Sequence, residues 1–280
     1  MKTFAHHRLL KYALSAMLVP ATLLSVLSCS DDETPAMRPT LPADGAAAVR
    51  SITHLGSVMS TYDWTFSYAD GRLVTAQGVM RDPSTTLDRS FSYTSQLSYG
   101  PWSVGVYNSS GEAVQLQLTS QGYIERMTVN RNIYEFYYRD GRLAGWSKTI
   151  FENSFGQVEQ YKSSATITYD NGNLQRIDYV GVDQEAVTLT CTPSALVNSN
   201  GLLPEGISQE LGCLGFEHLY YAGLLGRPTT NLVQQVTFTH SQHPEKDYTL
   251  EFEYGTTNGN VTLCNYHTAD GGVASVSYTY

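Results

Sequence analysis

Tyr134-Glu-Phe136-Tyr-Tyr138-Arg-Asp140-Gly141-Arg142-Leu143 holds the key to the fold in ten residues. Large rings stand at every second position, then an Asp-Gly pair, then a new alternating run. Period-two alternation puts one set of side chains on each face of a strand. Asp-Gly tolerates the positive φ angles of a type I′ turn, whose twist matches the strands on either side. The phrase recurs as Trp64-Thr-Phe66-Ser-Tyr68-Ala-Asp70-Gly71-Arg72-Leu73 and as Ala165-Thr-Ile167-Thr-Tyr169-Asp-Asn171-Gly172-Asn173-Leu174. A looser copy, with a longer turn, runs from Phe252 through Asn258-Gly259 to Val261. Each copy is a β-hairpin. In the first, Trp64, Phe66 and Tyr68 share one face, and Asp63, Thr65 and Ser67 share the other.

Working outward, the turn glycines are spaced by 70, 31 and 87 residues, too unevenly for a solenoid or propeller of fixed period. Further alternating runs fill the gaps: Phe91–Tyr99, Trp102–Tyr107, Glu112–Thr119, Tyr123–Asn130, Val158–Tyr161 and Glu185–Cys191. Val233–His240, Asp247–Tyr254, Asn260–His267 and Val273–Tyr280 continue them. About fourteen to sixteen strands follow, joined in sequence order by short turns, as one all-β domain over 50–280.

The stretch 192–232 breaks the alternation and is rich in Gly, Leu and Pro. Ser208 is placed to cap a helix over Glu210–Leu225, weakened by Gly212, Gly215 and Gly223 at up to ~1 kcal/mol each. Eight strands close into a barrel that side chains alone fill, whereas sixteen leave a lumen. A sheet face of Trp, Phe and Tyr does not suit open water. The apolar stretch with Leu202, Leu203, Phe216, Tyr220, Tyr221 and Leu224 is therefore the natural filler. The expected architecture is a large antiparallel up-and-down meander, curled into an open, porin-like barrel with this insertion packed on its concave face.

The 280 residues include 15% charged and 11% aromatic ones, against about 25% charged in an average globular chain. Ser, Thr, Gln and Asn therefore coat the surface. The net charge of −9 (17 basic residues, 26 acidic) repels phosphate and makes nucleic acid an unsuitable partner. Four Cys are too few for a disulfide scaffold, and no CxxC pair is present. Cys191, Cys213 and Cys264 read as buried structural thiols.

The N-terminal residues 1–28 form a signal peptide: Lys2, Arg8 and Lys11 precede an apolar run over Tyr12–Leu27, too short to span a bilayer. That run ends in Val26-Leu27-Ser28-Cys29, which resembles a bacterial lipobox. The resemblance implies cleavage before Cys29 and acylation of its thiol, with palmitate-type chains holding the protein to the membrane. Cleavage leaves 252 residues, with 14 basic against 26 acidic ones and a charge of −12. Ser30-Asp31-Asp32-Glu33 resembles the acidic export tag of Bacteroidetes surface lipoproteins. Residues 29–49, stiffened by Pro35, Pro39 and Pro42, then form a tether reaching up to ~60 Å. The expected location is the outer membrane, lipid-anchored and exposed at the cell surface, with a periplasm-facing anchor as the alternative.

Together the lipobox, the acidic tag, the YxDGRL-type hairpins and Tyr221-Ala-Gly-Leu-Leu-Gly-Arg-Pro228 are similar to a Bacteroidetes outer-membrane lipoprotein family of unknown function with a porin-like β fold. The hairpins also resemble those of YD-repeat shells, whose repeats are denser and more regular. The first resemblance covers about 50–280 and implies no catalytic residue.

The sequence holds no GxSxG elbow, HExxH, P-loop or strand-flanked GxGxxG. His240 and His243 stand three apart in a turn before Pro244, which suits a solvated loop better than a metal site. Glu251 and Glu253 share a strand face, a pairing that acid–base work on a glycoside would need but that a polar outer face explains more simply. His218, Tyr220 and Tyr221, in the insertion, are the candidate ligand-binding residues, since rings with polar tips suit sugar or peptide contacts. No cofactor or metal is expected. The leading function is a non-catalytic binding or interaction module for a glycan, a peptide or an envelope partner. A hydrolase of envelope or dietary polymers is the first alternative, and a membrane-spanning barrel the second.

Overall fold

A computed structural model describes residues 47–55, 61–81, 91–100, 103–109, 113–129, 131–154, 157–267 and 271–280. The signal peptide, Cys29 and most of the tether lie outside the described residues. Among the described residues sixteen strands form: β1 Ser51–Leu55, β2 Thr61–Ala69, β3 Arg72–Arg81, β4 Phe91–Tyr99, β5 Ser103–Asn108 and β6 Ala113–Leu118. Next come β7 Ile124–Val129, β8 Asn132–Arg139, β9 Arg142–Ser154, β10 Gln157–Asp170, β11 Asn173–Val180 and β12 Ala186–Val197. The one α-helix among the described residues, α1, covers Glu217–Tyr221, and β13 Asn231–His240, β14 Tyr248–Thr257, β15 Asn260–His267 and β16 Val273–Thr279 follow it.

Every strand pairs antiparallel with its sequence neighbours, and β1 pairs with β16 from Ser51↔Thr279 to Leu55↔Ser275. The sheet is thus a closed barrel, where the sequence suggested an open seam. The reason is edge chemistry: an unpaired β1 and β16 would each present a row of unsatisfied N–H and C=O groups.

The four quoted hairpins turn as their sequences demand. Asp70-Gly71, Asp140-Gly141, Asn171-Gly172 and Asn258-Gly259 all take positive φ at both positions. Each hairpin also shifts register at the same place beside its turn: Ser67/Tyr68, Tyr137/Tyr138, Thr168/Tyr169 and Gly255/Thr256. A bulge there tightens the local twist and bends the strand pair inward. All four turns lie at one rim of the barrel, because each joins an even-numbered strand to the next odd one.

The alternation resolves into an apolar lumen and a polar outer wall. Trp64, Phe66, Leu116, Met127, Ile177 and Leu189 are buried inside. Thr65, Ser67, Gln96, Thr128, Thr190 and Glu251 are exposed outside.

Between β12 and β13 the chain leaves the turn rim and fills the lumen. Leu202, Leu203, Ile207, Leu219, Leu224 and Leu225 are all buried in one core with the strand residues. Each such side chain contributes about 1.5–3 kcal/mol when removed from water. Three hairpins hold the insertion, two through its backbone and one through the Asn200 side chain. Arg227 N donates to Gly141 O at 2.7 Å, Thr230 N to Gly172 O at 2.9 Å, and Val261 N to Asn200 Oδ1 at 3.1 Å. The same hairpins that build the wall therefore clamp its plug.

Two boundaries differ from expectation. β12 runs on, irregularly, to Val197 and β13 begins at Asn231, so the insertion is 198–230 rather than 192–232. The helix is only Glu217–Tyr221, because Gly212, Gly215 and Gly223 take positive φ and turn the chain. At Gly212 a side chain is also impossible: a Cβ would stand 2.5 Å from the Trp146 ring. Trp146 Nε1 in turn donates to Glu210 O at 2.8 Å, locking that turn to the wall. Cys191, Cys213 and Cys264 are free and buried, as expected.

Candidate functional site

The plug does not fill the barrel evenly. Toward the turn rim the packing is close, and a cavity among Leu143, Tyr169, Leu203, Leu211 and Tyr220 holds only about 20 Å³. Toward the opposite rim a cavity of about 460 Å³ persists. His54 near the end of β1, Tyr62 and Trp64 early in β2, and Tyr248 at the start of β14 form its wall. The tip of the plug supplies Glu205, Glu210, Leu214, Glu217 and Tyr221. Its size falls in the range of small-molecule sites, roughly 300–1,000 Å³.

Charge gathers on the plug side. His54 is buried between two carboxylates: Nδ1 lies 3.3 Å from Asp63 Oδ1 and Nε2 lies 3.2 Å from Glu205 Oε2. Burial alone pushes this imidazole down, but Glu205 and Asp63 outweigh it and hold His54 up to about 9. Both ring nitrogens therefore carry protons and donate. Asp63 Oδ1 also accepts from His54 N at 2.7 Å, and Glu205 Oε1 accepts from the Tyr278 hydroxyl at 2.6 Å.

Glu210 and Glu217 border the same cavity without such support. Burial drives each carboxyl up to about 7, against opposing help from nearby backbone N–H groups. Glu217 is 7% exposed, and its Oε2 has no hydrogen-bond partner among the described residues. No Lys or Arg is among the described residues that line the cavity. Near neutral pH the site thus holds one cation against an excess of carboxylate.

The wall opposite is aromatic. Tyr62 and Trp64 stack with centroids 5.7 Å apart, and Tyr248 stacks on Phe238 at 4.2 Å. Such faces accept sugar rings, alkyl chains and cations.

Of the three residues singled out from the sequence, Tyr221 alone borders the cavity. Its hydroxyl oxygen accepts from Leu203 N at 3.3 Å. His218 is 1% exposed and packs against the Trp64 ring at 4.9 Å; burial holds its imidazole down to about 3, so it stays neutral. Tyr220 points toward the filled end, donating to Leu202 O at 3.4 Å. The structure does not bring these three together at one surface. Sequence reasoning missed His54, Glu205, Glu210 and Glu217. A signal existed: three carboxylates within an otherwise apolar insertion, where only a functional or paired role justifies burial.

Glu251 and Glu253 face outward on β14, and Glu251 Oε1 accepts from Gln235 Nε2 at 3.1 Å. His240 and His243 do not converge: His240 N donates to Asp247 Oδ1 at 2.7 Å, while His243 Nδ1 lies 3.0 Å from Glu245 Oε1. Among the described residues no group of three His, Cys, Asp or Glu is arranged to hold a metal ion.

Among solved structures, the chain is similar to a porin-like protein from Bacteroides uniformis at 20% identity, with a TM-score of 0.61. That match covers 82% of this chain and 97% of the other. A porin-like protein from Bacteroides vulgatus is similar at 10% identity and a TM-score of 0.49, covering 84% of this chain and 99% of the other. No curated protein matches. The family model described as a domain of unknown function (DUF4595) with porin-like fold matches residues 66–264, and the chain belongs to that family.

Proposed function

We propose that this protein is a lipid-anchored, non-catalytic binding module of the cell envelope whose ligand, a glycan or peptide fragment, enters the cavity beside β1, β2 and β14. The carrying observation is the uneven plug. It packs the turn rim and leaves about 460 Å³ lined by rings and carboxylates toward the other. A lumen so occupied is no channel, and a lipid-facing barrel would carry an apolar outer band. The Thr-, Ser-, Gln- and Glu-bearing outer wall instead suits water on all sides. That favours attachment through an acylated Cys29 at the outer membrane, with the tether presenting the barrel to the cell surface or the periplasm.

Screening the full-length chain against glycan and peptide arrays tests the binding. We expect a hit weakened at least tenfold by Leu214→Trp, which adds bulk where Leu214 borders the cavity. An empty array, or binding indifferent to that substitution, contradicts the reading. Metabolic labelling with a palmitate analogue tests the anchor: label and membrane association should both vanish in Cys29→Ala.

Hydrolysis has one observation in its favour. Glu217 keeps its proton to about 7, while Glu205, in the same cavity, is engaged by His54 and Tyr278. Carboxyl groups held in unlike environments are the pattern of an acid and its partner. Turnover of an envelope polymer that disappears in Glu217→Gln would replace binding by catalysis.

A further inference from the structure

We propose that the cavity is a recognition site for an organic ammonium group, taken up beside Glu210 and Glu217, with Tyr62, Trp64 and Tyr248 around its carbon frame. This rests on the binding reading above and names the chemistry of its ligand.

Three observations carry it. First, the carboxylates exceed the cations. Asp63 and Glu205 share the single imidazolium of His54, and the described lining residues include no Lys or Arg. Second, Glu217 is almost fully buried; backbone N–H groups of Gly215 and Glu217 engage its carboxyl, yet its Oε2 has no hydrogen-bond partner among the described residues. A buried carboxylate oxygen left so is destabilising unless a donor arrives. An ammonium group brings both the charge and the donors. Third, the carboxyl groups border a roomy, aromatic-walled space and do not converge as metal ligands. A small inorganic ion would leave most of that volume empty. An ammonium on a sugar ring or alkyl chain fills it, and the ring faces attract it by cation–π contact.

Uptake is coupled to protons. Glu217 faces His54 of β1, Tyr62 of β2, and Glu205 and Cys213 of the plug. Glu210 faces Tyr179 of β11, Tyr248 of β14 and Cys213. Glu210 and Glu217, each held up to about 7 by burial, ionise as pH climbs from about 5.5 to about 8. Affinity for a permanently charged amine therefore rises over that interval.

Calorimetric titration of the full-length chain tests the proposal with two matched pairs. Nα-acetyl-lysine amide is compared with its Nε-acetylated form, and the glucosamine disaccharide with its N,N′-diacetyl form. The lysine amine stays charged throughout, its pKa being about 10.4. At about pH 7.5 we expect the free amine of at least one pair to bind tenfold or more tightly than its acetylated form. For the lysine pair, that preference should fall below threefold at about pH 5.5. Which pair responds tells a peptide source from an amino-sugar source. Glu210→Gln with Glu217→Gln should abolish the preference while sparing any binding of the acetylated forms. The pH comparison, made on the unaltered chain, stands even where that double variant fails to fold. Equal binding within both pairs, or a preference that survives the double variant, overturns the ammonium assignment and leaves the binding reading intact. No binding of any probe overturns the assignment; binding of other array ligands, lost in Leu214→Trp, would still uphold the broader reading.

Discussion

The two ends of the barrel are built on opposite terms. At the turn rim, tips carrying Gly141, Gly172 and Asn260 clamp the plug by backbone and amide hydrogen bonds. Buried Leu, Tyr and Trp side chains leave almost no space there. At the other end the plug presents three carboxylates to a cavity, two of them held partly protonated by burial. The first arrangement maximises burial and hydrogen-bond satisfaction. The second keeps polar groups out of water with incomplete compensation, which a chain selected for stability alone would replace by packed apolar residues. On the binding proposal, one end is scaffold and the other the working surface.

Removing 202–226 should break the scaffold outright: a lumen wide enough for a plug cannot close on itself. We expect insoluble or molten protein, with no cooperative melt. A deletion variant with an unchanged melt would refute the plug. Truncation within the packed region is milder. Leu224→Ala should cost about 2–5 kcal/mol in denaturant unfolding and leave ligand preference unchanged. At the working end the sign reverses. Glu217→Gln should raise stability by about 1–3 kcal/mol near pH 8, and the gain should vanish below about pH 4. The pH dependence follows from the proton count. Glu210 and Glu217 hold protons in the fold that the unfolded chain releases, so stability falls as pH climbs from about 4.5 through about 7. His54 adds stability that is complete below about 6.5 and lost as pH passes about 9. Both trends point downward with rising pH, and a stability profile rising from pH 6 to 9 would contradict them. The smallest effect belongs to the outer wall: Glu251→Ala should move stability by under about 0.5 kcal/mol and ligand binding not at all.

The hairpins were legible because their chemistry is local. An Asp-Gly or Asn-Gly pair and period-two rings need no distant partner to mean a turn between strands. The plug was legible as an interruption of that rhythm, and its role followed from the size of the lumen. Closure was not legible, since β1 meets β16 across more than 200 residues with no turn to announce it. The helix is shorter than the expected Glu210–Leu225 because Gly212, Gly215 and Gly223 take positive φ and bend the chain. The site was least legible. His54 meets Glu205 from 151 positions away, and no spacing rule links them. His218 and Tyr220 attracted notice as chemical types, but the packing of α1 turns one onto Trp64 and the other toward the filled end. Tyr221 alone joined type to position.

Amide hydrogen exchange on the plug asks most directly whether the barrel is stuffed. Leu211 N bonds to Ile207 O, Leu224 N to Leu219 O and Leu202 N to Asn198 Oδ1, all beneath the wall. These amides should open only with global unfolding, at the same free energy as the central amides of β9 and β10. Exchange at the speed of a surface loop, while β9 and β10 stay protected, would mean that the insertion leaves the lumen freely and that neither plug nor cavity exists as described.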